Sequence, residues 1–108
     1  MDTAIGLAEI DAEGYLVEPE DWNEDVAREL ARGLGIELGD DHWDVIRFMR
    51  SYYEEHRIAA AARNVINHLD GRYPGQARNR LFKLFPYGYV GQACKIAGMK
   101  RPRGWSTG

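Results

Sequence analysis

Apolar positions follow two different spacings along this chain. Residues 4–10 (AIGLAEI) and 15–17 (YLV) flank Asp11-Ala12-Glu13-Gly14 and read as two short strands around a glycine-containing turn. An isolated hairpin is marginal in water, so it needs a helical partner. That partner begins at Trp22-Asn23-Glu24-Asp25, which offers a cap residue and first-turn carboxylates, and Val26, Leu30 and Leu34 then recur at helical spacing up to Gly33 and Gly35. A second helix follows Asp40-Asp41. Trp43, Ile46, Met49 and Tyr53 form its stripe, Val45, Phe48 and Tyr52 widen it, and it ends near His56. The alanine-rich stretch 58–69 predicts a third helix, stopped by Asp70-Gly71 and Pro74-Gly75. A fourth spans about residues 76–85, with Leu81, Leu84 and Phe85 inward, Arg78, Arg80 and Lys83 outward, and Pro86 as its stop. The last runs over about 89–97 to Gly98, beyond which residues 99–108 lack periodicity and read as an arm. The expected fold is mainly α (α+β): one domain over residues 1–108, an N-terminal β-hairpin on about five helices, and a flexible C-terminal arm.

Composition agrees with one compact domain. The chain has 108 residues, 44% hydrophobic and 29% charged, which is neither a disordered nor a fibrous balance. Its apolar runs fall well short of the roughly 20 residues that cross a bilayer, and the start Met-Asp-Thr-Ala has no basic segment before an apolar one, so a cytoplasmic protein with no membrane partner is expected. The net charge of −3 conceals a division. Residues 1–56 hold 16 Asp/Glu against 4 Lys/Arg, a balance of −12, whereas residues 57–108 hold 1 against 10, a balance of +9. Two readings are open: solvated faces of one domain, or a basic face for an acidic protein, a phosphate or a nucleic acid.

Catalytic signatures are sparse. The chain has no GxSxG, Walker loop, dinucleotide fingerprint or HExxH, and no cofactor is implied. His42, His56, His68 and Cys94 are metal-ligand types, but neither a close cysteine pair nor an i, i+4 histidine pair is present, so no metal site is expected. Cys94, the single cysteine, is the one candidate nucleophile. Its i, i+4, i+7 stripe with Val90 and Ala97 points to a buried thiol. The competing reading places Lys95, Lys100, Arg101 and Arg103 near the sulfur, where positive charge favours the thiolate.

The stretch Leu84-Phe85-Pro86-Tyr87-Gly88, followed by Gln92-Ala93-Cys94-Lys95-Ile96-Ala97-Gly98, resembles the C-terminal signature of the DsrC/TusE family, in which LFPxG leads into QACKxAGLPKPxGC. Glu13-Gly14-Tyr15-Leu16, Asp21-Trp22, His42-Trp43-Asp44-Val45-Ile46-Arg47-Phe48 and Tyr52-Tyr53-Glu54-Glu55 extend the match over nearly the whole chain. The resemblance implies a sulfur-relay protein, similar to the gamma subunit of dissimilatory sulfite reductase, with a helix-turn-helix-like portion and a mobile arm. It also implies two functional cysteines. Cys94 matches the one on the last helix, but the arm position implied to carry persulfide sulfur is Trp105, and an indole cannot take part in thiol exchange. Further departures are Gly88-Tyr89-Val90-Gly91-Gln92 where the family has GPAKQ, Ala60 where it has a proline, and a shortened segment over 71–77.

Three functions follow. The first is an accessory protein that binds or regulates sulfurtransferase or sulfite reductase partners through Arg78, Arg80, Lys83, Lys95, Lys100, Arg101, Arg103 and Trp105. The second is a single-cysteine sulfur carrier using Cys94, at most a sulfur-transfer partner rather than a stand-alone enzyme. The third is a DNA-binding regulator using the helices over 58–69 and 76–85 with Arg63, Arg72, Arg78, Arg80 and Lys83, although a pI of about 5.6 is low for a nucleic-acid binder. The first reading is preferred. It carries three structural expectations: Cys94 partly accessible beside the arm, a basic face that survives folding, and Trp105 in a packing role.

Overall fold

The computed structural model describes residues 4–5 and 8–100. Its first helix, α1 (Glu24–Gly33), begins where the sequence places it: the Asn23 side chain accepts the Val26 N–H at 2.9 Å, and Glu24 and Asp25 sit at the positive end of the helix dipole. Val26, Ala27, Leu30 and Ala31 form the buried face. The exit is a Schellman turn, in which the Ile36 N–H reaches the Ala31 carbonyl at 2.9 Å and Gly35 takes φ +73°.

Helix α2 (Asp40–His56) is the central element, burying Val45, Ile46 and Met49. His42 fastens its start. One ring nitrogen accepts the Gly39 N–H at 3.1 Å and the other donates to the Leu84 carbonyl at 2.9 Å, which fixes the tautomer with the proton on Nε2. Arg57 ends the helix in the left-handed region at φ 60°.

Helix α3 (Ala62–Asp70) is shorter than the predicted 58–69. The four residues before it run on without helix because Ala60 is wholly buried and its carbonyl receives the Tyr89 hydroxyl, a demand on the backbone that alanine propensity cannot outweigh. Asn64 then caps the start by accepting the Ala61 N–H at 3.0 Å. Helix α4 (Ala77–Leu84) packs on α3 and buries Ala77, Leu81 and Leu84. The described residues close with a π-helical turn (Tyr89–Ala93) that runs into α5 (Cys94–Ile96), which packs against α1.

The N-terminal hairpin requires correction. The strand predicted over 4–10 is two two-residue strands, β1 (Ala4–Ile5) and β2 (Ala8–Glu9), paired antiparallel with each other. Across Asp11-Ala12-Glu13-Gly14 only an isolated bridge, Ile10 to Leu16, forms. The reason is local: the Asp11 carboxylate accepts the N–H groups of both Glu13 and Tyr15 at 2.9 Å, holding the backbone in a turn instead of a ladder. The same N–H bonds, that of Tyr15 foremost, lower the Asp11 pKa. The fold is therefore mainly helical with almost no strand among the described residues.

Candidate functional site

The site is assembled on the π turn and α5, the last elements among the described residues. Gly88 adopts φ +111°, and the next five residues form a π turn in which the Cys94 N–H donates to the Tyr89 carbonyl, five residues back. Side chains from distant elements then fix this segment. Tyr15 donates its hydroxyl to the Val90 carbonyl at 3.1 Å, the Trp22 indole N–H donates to the Ile96 carbonyl at 2.8 Å, and Arg50 donates to the carbonyls of Ala97 at 3.1 Å and Pro19 at 2.9 Å. The Arg50 guanidinium also lies over the Trp22 ring, 4.6 Å from its centre. The donors to Ile96 and Ala97 satisfy carbonyls that a helix C-terminus otherwise leaves open.

Cys94 is 0% exposed. Val90 and Ala97, its partners on the predicted stripe, are buried with it. Burial pushes the thiol pKa up to about 12, and the hydrogen bond with Tyr89 offsets this only in part. The Tyr89 hydroxyl, which donates to the Ala60 carbonyl, is the polar group beside the sulfur. The Tyr89 hydroxyl is itself raised far above its usual range, first by burial and then by Cys94.

The expectation of a partly accessible Cys94 is thus corrected, and the buried stripe holds; of the cations in the competing reading, Arg101 and Arg103 lie outside the described residues. Lys95, adjacent in sequence, points to the Tyr15 ring with its Nζ 5.2 Å from the centroid, and no cation among the described residues lowers the thiol. Lys100 is exposed and lies near enough to Asp11 to lower that carboxyl further. A cleft of about 430 Å³ opens where the described chain ends, between Pro19, Tyr53, Ile58, Ala59, Met99 and Lys100, and Cys94 does not line it. Met99, assigned to the arm by sequence, is fully buried and donates its N–H to the Cys94 carbonyl at 2.8 Å. Arg101, Arg103 and Trp105 lie outside the described residues.

The predicted basic face is only partly free. Arg80 is drawn inward to Asp41 at 3.3 Å and to the Tyr73 hydroxyl at 3.1 Å, while Arg72 reaches Asp41 at 3.4 Å and Asp44 at 3.7 Å. Tyr73 donates to Asp41 at 2.6 Å, and His68 meets Asp44 at 3.0 Å while stacking on Phe48 at 4.4 Å. This network ties α3, α4 and the loop between them to α2. Arg78 and Lys83 stay exposed on α4 without a partner among the described residues.

Sequence reading missed two surface aromatics. Phe82 is 59% exposed and Tyr87 is 86% exposed. The signal was available for Phe82, which lies off the Leu81, Leu84, Phe85 stripe and shares a helical face with Arg78 four positions earlier. No cluster of three or more metal-ligating side chains occurs among the described residues, and none of the described helices is long and apolar enough to cross a membrane.

The arrangement places the fold in the class of the gamma subunit of dissimilatory sulfite reductase. The solution structure of DsrC from Allochromatium vinosum superposes with a TM-score of 0.83 at 37% identity, covering 97% of this chain and 98% of that one. The oxidised gamma subunit (DsrC) from Archaeoglobus fulgidus superposes at 0.81 with 33% identity, covering 92% of each chain. The family described as DsrC like protein matches residues 6–105, and the chain belongs to that family. Relatives include the protein named sulfurtransferase TusE of Sodalis glossinidius, 42% identical over 94 residues, which are 85% of this chain and 87% of that protein. The sulfurtransferase TusE of Escherichia coli is 38% identical over 96 residues, 87% of this chain and 88% of that protein.

Proposed function

We propose that this chain is a sulfur-relay accessory protein that binds or regulates a sulfurtransferase or sulfite reductase partner without carrying sulfur itself. The observation that carries the reading is the state of its single cysteine: Cys94 is buried, and its thiol is held protonated by desolvation. Sulfur transfer begins with a thiolate that can reach a persulfide, and this sulfur is neither ionised at neutral pH nor open to a partner. Trp105 at the position of the family's arm cysteine supports the same conclusion. The fold is retained while the sulfur-carrying group is not.

A DNA-binding role receives less support. Of the five cations assigned to it, Arg72 and Arg80 are engaged by Asp41 and Asp44.

The test has two arms. Intact-mass measurement after incubation with a persulfide donor, with Cys94→Ser as control, is expected to show no added sulfur on the folded chain. Titration of the same chain against a purified sulfurtransferase and a purified sulfite reductase is expected to show binding to one of them. A sulfur adduct that disappears in Cys94→Ser converts the assignment to sulfur carriage.

A further inference from the structure

Among the described residues the exposed large hydrophobics are Ile58, Phe82 and Tyr87, so two of the three fall within six residues on either side of Pro86. Single surface apolar residues are ordinary, but these two stand on backbone that is held from beneath. Phe85, 1% exposed, packs edge-on against His42 at 5.3 Å, and its carbonyl accepts the Gly88 N–H at 3.0 Å. From the other side Gln92, the one buried polar side chain among the described residues at 4% exposure, accepts the Tyr87 N–H at 3.0 Å. A glutamine placed in an apolar core needs a reason. Here its partner is the turn that presents Tyr87 to solvent. Fixing an exposed aromatic before it meets a partner removes part of the ordering cost of binding.

The charge carried by the segment itself is of one sign, and the acidic start of α2 beside it is engaged through Asp41 by Arg80. No Asp or Glu occurs from residue 71 to residue 108, and Arg78 and Lys83 are exposed on the helix that carries Phe82. We propose that residues 78–87 form a docking surface for an acidic protein partner, with Phe82 and Tyr87 entering an apolar depression and Arg78 and Lys83 meeting carboxylates at its rim. This rests on the partner-binding reading above and names the surface and the partner's chemistry. A nucleic acid fits less well, because tight phosphate-driven binding uses on the order of 6–10 contacts, whereas this segment offers two free cations. Rigid aromatics beside arginine are the residue types that dominate protein interfaces.

The experiment is a kinetic binding titration of the full chain against the purified sulfurtransferase and the purified sulfite reductase of the same cell, with a duplex DNA as a third probe. Phe82→Ser and Tyr87→Ser are each expected to weaken binding to the partner about tenfold or more, chiefly through faster dissociation. Arg78→Glu/Lys83→Glu is expected to slow association and flatten its salt dependence. All four side chains are exposed, so urea midpoints should stay at the wild-type value and serve as the folding control. If the wild type binds and the variants bind within about twofold of it, the surface assignment is overturned while the partner-binding reading stands. If the wild type binds neither protein, both fall. Preferential binding to DNA that is lost in the double charge variant, or self-association that is lost in Phe82→Ser, also overturns the proposal.

Discussion

Trp22 lies so close to Gly98 that a methyl group placed on the glycine would meet the indole Cδ1 at 2.6 Å. The indole cannot withdraw freely, because its N–H is bonded to the Ile96 carbonyl and Arg50 covers its face. Gly98 also has φ +75°. Gly98→Ala therefore combines a left-handed alanine, costing about 1–2 kcal/mol, with overpacking of about 1–3 kcal/mol. Gly75 has the same φ and open space around it, so Gly75→Ala isolates the first contribution. Urea unfolding of the two variants should show Gly98→Ala the more destabilised by about 1 kcal/mol or more.

Alkaline pH should act on the folded state through Cys94. Its folded pKa of about 12 lies above the ordinary value of 9.0, so its contribution is whole below pH 9 and is lost as pH rises toward the folded value. Within that window one such proton weakens stability by about 1.4 kcal/mol per pH unit. Thermal melts from neutral to alkaline pH should fall less steeply for Cys94→Ala than for the wild type. Tyr89, raised in the same direction, adds to the fall at higher pH.

Thiol chemistry gives an independent check on burial. A small aromatic disulfide reagent should leave the native chain unmodified at neutral pH and label one cysteine in urea. Rapid native labelling, on the timescale of an exposed thiol, contradicts the enclosed site.

Tyr89→Phe removes the donor to the Ala60 carbonyl and the hydroxyl beside Cys94 in one step. Leaving the buried carbonyl unpaired should cost about 1–3 kcal/mol, measured by urea unfolding. Hydrogen exchange should rise at the start of α3, the element that the Ala60 contact positions.

Asp41→Asn tests the network that holds α3 and α4 on α2. Asp41 is mostly enclosed, while its partners Arg80 and Arg72 are more exposed, so the loss is moderated by solvent screening. The expected destabilisation is about 1–2 kcal/mol, smaller at high salt.

Local signals in the sequence foretold the parts of the fold that local forces decide. Asn23 and Gly35 mark the two ends of α1 because a cap and a left-handed exit are set by neighbouring backbone. The stripe of Val90, Cys94 and Ala97 was readable for the same reason. What escaped was decided across the chain: Ala60 is kept out of the helix by Tyr89, 29 residues later, and Arg80 is taken from the surface by Asp41. Lys95 is next to the cysteine in sequence yet serves Tyr15, because neighbours on a helix point in different directions. The family resemblance supplied the global arrangement, and the stripe of Val90, Cys94 and Ala97 already placed the sulfur in the core.

The π turn over Tyr89–Ala93 settles a conflict of phase. Tyr89 and Val90 are anchored at one end, Ile96, Ala97 and Met99 at the other, and the extra residue between them lets both sets keep their partners. One residue of α-helix corresponds to about 100° of rotation. Deleting a single residue between Gly88 and Cys94 would leave every later side chain in place in the sequence while swinging the sulfur a quarter-turn or more relative to Tyr89. The inertness of this thiol is thus a matter of angular register, set by the length of one turn as much as by the identity of any side chain around it.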